Sequence, residues 1–341
     1  MEIDISFGDS GLVDALNLFK EPFMLNSFLY SIQVIFPIFF LVFLGWLFGR
    51  IGMLSPAFFK DANRFVFKIT LPVTLYLEIL SCGLPSSGGK LLLFVIPGIL
   101  VLFLLLTLAV PLLIRENDRR GAFIQGVYRS NIAILGVPLI ENMFGSDGIS
   151  SLSVVMPFSI ILYNILAVVI LSMFAPADRK KKPSELIRSI AHSIVTNPLI
   201  IGIVLALLTS LLRIRLPMLA EKSLSYLSAL TMPLALMTLG ATFSVHKLKG
   251  RISLAISASL LRTVLVPLLF VTVGALLGFR NVELGVIFVV FASPTAVSSY
   301  IMAENMGSDH ELAGQIVLIT TLLSLFTLFA GTFLLKQLQL I

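Results

Sequence analysis

Two apolar stretches of this chain carry polar groups that a hydrocarbon environment disfavours. The first, over residues 121–143, contains QGVYRSNIAILGVPLIEN and brings Gly126, Arg129, Ser130, Asn131, Gly136 and Pro138 into one run. The second, over residues 281–305, contains FASPTAVSSYIMAEN and holds Ser293, Pro294, Thr295, Ser298 and Ser299. Arg129 has the most specific chemistry, because a planar guanidinium can grip a carboxylate through two parallel hydrogen bonds. Three readings stand open for it: facing an anion in a cavity, snorkelling to an aqueous interface, or closing a structural ion pair. Asn131, two residues on, offers both donors and an acceptor. Thr295 and Ser298 face the same place from the second stretch if that stretch is broken at Pro294. Tyr163 and Asn164 either line the same cavity or bond between helices. Pro138 and Pro294 each remove a backbone donor and disturb the preceding turn. In lipid the freed carbonyls need protein or cavity water. The halves of a broken helix also present N-terminal N–H groups, which favour an anion.

Other candidates are weaker. Glu78, Glu141 and Glu304 could each carry a coupling proton, with none privileged. Asp61, Arg64 and Lys68 stand at i, i+3 and i+7 and read as a charge cluster at a cytoplasmic helix end. Arg262 lies well inside an apolar run and needs a partner. His192, His246 and His310 are scattered without metal-ligand spacing and read as surface residues. The single cysteine, Cys82, excludes an intrachain disulfide and a cysteine metal site. GLPSSGG at 83–89 reads as a flexible loop rather than a phosphate cradle. The absence of a Walker sequence, a catalytic carboxylate pair or a nucleophile motif argues against an ATP-driven pump and an intramembrane enzyme. No cofactor is implied.

The elements that must position these groups follow from composition. Of 341 residues, 57% are apolar and 12% charged, against about a quarter charged in an average soluble domain. The mean hydropathy is +1.03. Apolar runs of about 20 residues read as transmembrane helices. This composition excludes a disordered chain, a nucleic-acid binder and a disulfide-stapled domain, and it lacks the alternation of an outer-membrane barrel. Ten spans are expected, at about 27–49, 57–81, 91–114, 121–143, 149–174, 190–212, 217–244, 252–278, 281–305 and 310–335. If they alternate sides, thirteen Lys and Arg fall on one face and seven on the other. The richer face is then cytoplasmic. Both termini lie outside an inner, plasma-type membrane, and the basic loop 175–189 lies inside. Residues 1–26 form an extracellular segment, either an interfacial helix or a frayed tail. They make a poor signal peptide, with five acids against Lys20 alone in residues 1–25.

Prolines suggest an internal repeat. Pro37 and Pro198 are 161 residues apart, as are Pro72 and Pro233. Pro111 and Pro267 are 156 apart, as are Pro138 and Pro294, which calls for a five-residue length change near 82–90. The expected halves are 27–174 and 190–336, with five spans each. An odd number inverts the second half, the architecture many secondary carriers use for alternating access.

YRSNIAILGVPL together with ASPTAVSSYIMAENMGSDHELAGQIVLITTLLSLFTL resembles the auxin efflux carrier family, and the likeness runs over about residues 30–336. That family includes plant auxin exporters and bacterial permeases for malate, malonate and related organic acids. The resemblance implies an all-α membrane fold akin to bile-acid sodium symporters. In that fold spans four and nine cross at their breaks and the substrate sits at the crossing. It further implies a scaffold of spans one, two, six and seven, often dimeric, and a moving domain of the other six. Asn131 occupies a motif position where the family has an asparagine, which places it in the site. The expected function is a secondary transporter of small organic anions, coupled to a proton or sodium ion or driven by membrane potential. A sodium-coupled importer on the same fold, a channel and a ligand receptor are the alternatives. The short central loop departs from the long plant exporters and favours a bacterial permease over an auxin carrier.

Overall fold

The computed structural model describes residues 22–82, 89–175, 192, 195–242 and 251–341. Most of the expected N-terminal segment, nearly all of loops 83–89 and 175–189, and Lys247, Lys249 and His246 lie outside the described residues.

Helices α1 (Pro22–Arg50) and α2 (Pro56–Phe65) come first, and a wider π-type turn at Val66–Thr70 carries α2 into α3 (Leu71–Cys82). Then come α4 (Lys90–Leu113), α5 (Asn117–Tyr128), a second π-type turn at Ile132–Gly136 and α6 (Val137–Met173). α6 is two helices meeting at Gly145, whose φ of 58° only glycine adopts readily. The later chain forms α7 (Pro198–Leu211), α8 (Met218–Ala229) and α9 (Thr231–Thr242). α10 (Ile252–Leu260) passes through a third π-type turn at Leu261–Leu265 into α11 (Val266–Leu276). The series closes with α12 (Asn281–Ala292), α13 (Ser298–Asn305) and α14 (His310–Gln337). No strand is present among the described residues; one isolated antiparallel bridge joins Ser130 to Thr295.

Five stretches are long and apolar enough to cross a membrane: Lys90–Leu113, Leu139–Met173, Met218–Ala241, Ile252–Leu276 and His310–Gln337. Phe36–Arg50, Pro198–Leu211 and Asn281–Ala292 are shorter apolar helices. Their outer faces carry exposed residues such as Leu108, Leu112, Leu113 and Leu276. In water this surface would be costly; against lipid it is the expected one. Helix starts are set locally. Ser55 accepts from Phe58 N at 3.1 Å with Pro56 following, and Asn197 accepts from Leu199 N at 2.9 Å with Pro198 following. Both are side-chain caps with proline where no donor is lost.

The helices sort into two groups. α1 packs on α9 and α3 on α7, with α8 against α3 and α9 against α2. Gly45 and Gly240 let α1 and α9 touch backbone to backbone, since a methyl group at either would overlap the other helix's main chain. In the second group α14 packs on α10 and α5, α12 on α11 and α6, and α4 on α5 and α6. Here α5 and α12 are the innermost. Every residue from Gly121 to Tyr128 and from Leu284 to Ala292 is buried.

Some helix starts have a spacing that differs from that of the prolines. Pro56 and Met218 open helices 162 residues apart, and so do Lys90 and Ile252, on the two sides of loop 83–89. Gly145 and Gly307, both with positive φ and both followed by Ser-Asp, are again 162 apart. Pro294 lies at a break, whereas Pro138 lies in the first turn of α6. Proline is tolerated at a helix start as well as at an interruption, so its spacing alone does not fix register.

Candidate functional site

Both helices expected to break do so. α5 ends at Tyr128, and Arg129 leaves the helix with φ −83° and ψ 124°. α12 ends at Ala292, and Ser293 turns extended with ψ 144°. The two interruptions touch: Asn131 N donates to Pro294 O at 2.8 Å, beside the Ser130–Thr295 bridge. Thr295 binds this crossing from within, donating its hydroxyl to Gly126 O at 2.6 Å and its backbone N–H to Thr320 Oγ1 at 3.2 Å. These bonds satisfy backbone groups that lipid could not.

A cavity of about 270 Å3 opens beside the crossing, between the two helix groups. The second group contributes Arg129, Ser130, Asn131, Tyr163, Asn164 and Ser298. The first contributes Thr74, Glu78, Ser228 and Thr231, with Leu71, Leu75, Met232 and Ala235 as apolar wall. Of the residues singled out from sequence, Arg129, Asn131, Tyr163, Asn164 and Ser298 therefore share one space. Pro294 and Thr295 are not among its lining residues. The proline at 138 is one helical turn and more past the break, because the interruption falls at 129–131.

Arg129 is only 3% exposed, so it does not snorkel. Its Nη2 donates to Asn164 Oδ1 and to Ser298 Oγ, both at 2.8 Å, and its Nη1 to Met302 Sδ at 2.7 Å. All three partners are neutral. Asn164 is itself held by donating to Ile160 O at 2.8 Å. The guanidinium is thus aimed by residues from α6 and α13, at a wall of the cavity, with a charge its hydrogen-bond partners do not neutralise. Such a group suits an anion.

The chain matches the family of membrane transport proteins over residues 30–330. It belongs to the auxin efflux carrier family. It is accordingly a membrane transporter and not an enzyme. An uncharacterized transporter of Methanocaldococcus jannaschii is 26% identical over 307 residues, covering 87% of this chain and 96% of that one. A Rhizobium meliloti protein named "Putative malonate transporter" is 23% identical, covering 89% and 95%. An uncharacterized transporter of Methanothermobacter thermautotrophicus is 23% identical, covering 88% and 97%.

Within this family member, sequence reasoning passed over the facing wall. Thr74 Oγ1 lies 2.8 Å from Thr231 Oγ1 and 3.0 Å from Ser228 Oγ, forming a hydroxyl cluster across α3, α8 and α9. Its signal was present: Thr74 follows Pro72 by two residues, and Thr231 precedes Pro233 by two. Glu78, one turn beyond Thr74, is the acid on the cavity wall. The other candidate acids are elsewhere. Glu141 is exposed, and Glu304 accepts from Asn63 on α2, beside a second cavity of about 290 Å3. Among the described residues, no His, Cys, Asp and Glu cluster could hold a metal ion.

Proposed function

We propose that this transporter is a secondary carrier for small organic anions, with one carboxylate of the substrate held by Arg129 in the cavity at the helix crossing. The observation that carries this reading is the geometry of Arg129: buried, oriented by three neutral partners, and lining the cavity. Asn131 and Ser298 supply neutral hydrogen bonds beside it, and Leu71, Leu75 and Met232 would take the apolar body of the substrate. At about 270 Å3 the cavity sits near the low end of ligand pockets, about 300–1,000 Å3. That fits a short mono- or dicarboxylate better than a bulky acid. Malonate, named for the Rhizobium relative, is a natural first probe.

The mechanism is alternating access by ten spans in a five-plus-five inverted repeat, inserted in the plasma membrane with both termini outside. Support comes from the 162-residue spacing of helix starts and from the reciprocal packing of α1 on α9 and α3 on α7. The cavity has one wall from each helix group, so sliding one group past the other would move a bound anion. Glu78, on the facing wall, would take up or release the coupling proton as the groups slide. The scaffold group would also pair two copies of the chain, which crosslinking in lipid would test. Uptake of labelled malonate and related acids into proteoliposomes, under imposed potential and pH gradients, tests the function. Saturable uptake with counterflow supports a carrier. Flux without saturation indicates a channel, and binding without flux a receptor.

A further inference from the structure

The second buried arginine answers a different question, which ion the crossing needs. Arg262 stands on the π-type turn between α10 and α11 and is fully buried. Its guanidinium donates from Nε to Ser293 O at 2.8 Å and from Nη2 to Val290 O at 3.1 Å. From Nη1 it reaches Tyr128 O at 3.3 Å and Val127 O at 3.4 Å. The first two carbonyls end α12 and the other two end α5. One cation therefore collects the C-terminal carbonyls of both broken helices.

The electrostatics make this arrangement specific. A helix C-terminus carries about half a negative elementary charge. Two such ends meeting inside protein, away from water, concentrate about one. In carriers with broken helices, exposed carbonyls of this kind are where a coupling sodium or proton is held. Here the same oxygens face a guanidinium whose planar fork matches four separated acceptors and which stays charged at any physiological pH. Arg262 is not a lining residue of the cavity and so is not a substrate ligand.

We propose that Arg262 is a tethered cation that takes the place of a coupling sodium ion at the helix crossing, so that the carbonyl ends of α5 and α12 are neutralised permanently and sodium has no site there. The inference deepens the carrier reading by specifying its ion coupling. It disfavours the sodium-driven importer among the alternatives. The charge balance at the crossing would then remain unchanged through the transport cycle, leaving the cavity residues to respond to substrate.

The test needs no substrate. Thermal midpoints of the purified full chain are measured in sodium chloride and in choline chloride at equal concentration, for wild type, Arg262→Ala and Arg262→Lys. The expected result is equal midpoints for wild type in both salts. Arg262→Ala should show a lowered midpoint that sodium, and not choline, restores in part and saturably. Arg262→Lys, whose ammonium can sit among the same oxygens, should keep most of the stability and ignore sodium. A saturable sodium effect on wild type would overturn the proposal, as would a folded Arg262→Ala protein that responds equally to both salts. If Arg262→Ala yields no folded protein, Arg262→Lys decides: indifference to sodium supports the proposal and dependence on sodium overturns it. Failure to transport any organic anion would leave these midpoints untouched, so the two readings fail separately.

Discussion

Arg129 and Arg262 lie on either side of the same crossing, and both are buried, yet their surroundings differ in kind. Arg262 donates only to main-chain carbonyls, from the ends of two helices. Arg129 donates to three side chains and lines a cavity. The backbone around Arg262 is itself electronegative, so that charge is compensated by the fold. The side chains that Arg129 hydrogen-bonds have dipoles but no net charge, and the acid sharing its cavity, Glu78, stands on the facing helix group without a direct ion pair to it, which leaves room for the anion we propose. A buried charge is expensive unless paired. The comparison teaches that one arginine is tied into the main chain of the crossing, while the other, which we propose for the ligand, is held by side chains at a cavity wall.

The largest expected effect is on the architectural side. Arg262→Met removes the cation and leaves four buried acceptors without a donor. At about 1–3 kcal/mol for an unsatisfied buried group, even partial relaxation should lower stability by about 3 kcal/mol or more. Folded yield and thermal midpoint in detergent measure this. A stable Arg262→Met protein would break the contrast.

Next comes Arg129→Lys. An ammonium cannot reproduce the forked contact, and binding of the anion should weaken by about 1.5–3 kcal/mol, the scale of a charge-assisted bond, or roughly 10- to 150-fold. The thermal midpoint without substrate should move less than in Arg262→Met. Affinity from proteoliposome uptake and the midpoint together check both halves. If Arg129→Lys destabilised as much as Arg262→Met and left affinity intact, the two residues would be of one kind.

Smaller effects sharpen the boundary. Asn131→Ala should weaken substrate binding by about 1 kcal/mol, a neutral hydrogen bond, with little change in stability. Thr295→Val should do the reverse. It deletes the bond to Gly126 O and should cost about 1 kcal/mol of stability while leaving affinity unchanged, because Thr295 binds the crossing and not the cavity. Glu78→Gln should preserve affinity at fixed pH and remove the stimulation of uptake by an imposed pH gradient. Uptake that still follows the gradient would place the proton elsewhere.

Orientation can be probed separately. If loop 175–189 is cytoplasmic, as we propose from the count of basic residues, cysteine placed at Lys181 should resist labelling from outside sealed cells.

How much was legible beforehand differs by residue. The membrane class followed from composition, because apolar runs of this length have few alternatives in water. The two breaks followed from the crowding of Gly, Pro and small polar residues in Gly126–Pro138 and Ser293–Ser299. Arg129, Asn131 and Ser298 were visible because polar groups in such runs seldom lack a task. Pro138 misled, since a proline marks a helix start as readily as a break.

Sequence by itself therefore determined which segments are helical and apolar, where they are interrupted, and which residues carry unusual chemistry, because these depend on local propensity and on hydropathy. Only the tertiary structure decided what each unusual residue faces. Thr74, Ser228 and Thr231 meet across helices more than 150 residues apart in the chain. Arg262 finds carbonyls 28 to 135 residues away. Arg129 and Arg262 are both arginines in apolar runs, and nothing local distinguishes them. The difference is made by which helix ends and which side chains the packing brings within hydrogen-bond reach, and that depends on the contacts of the whole chain.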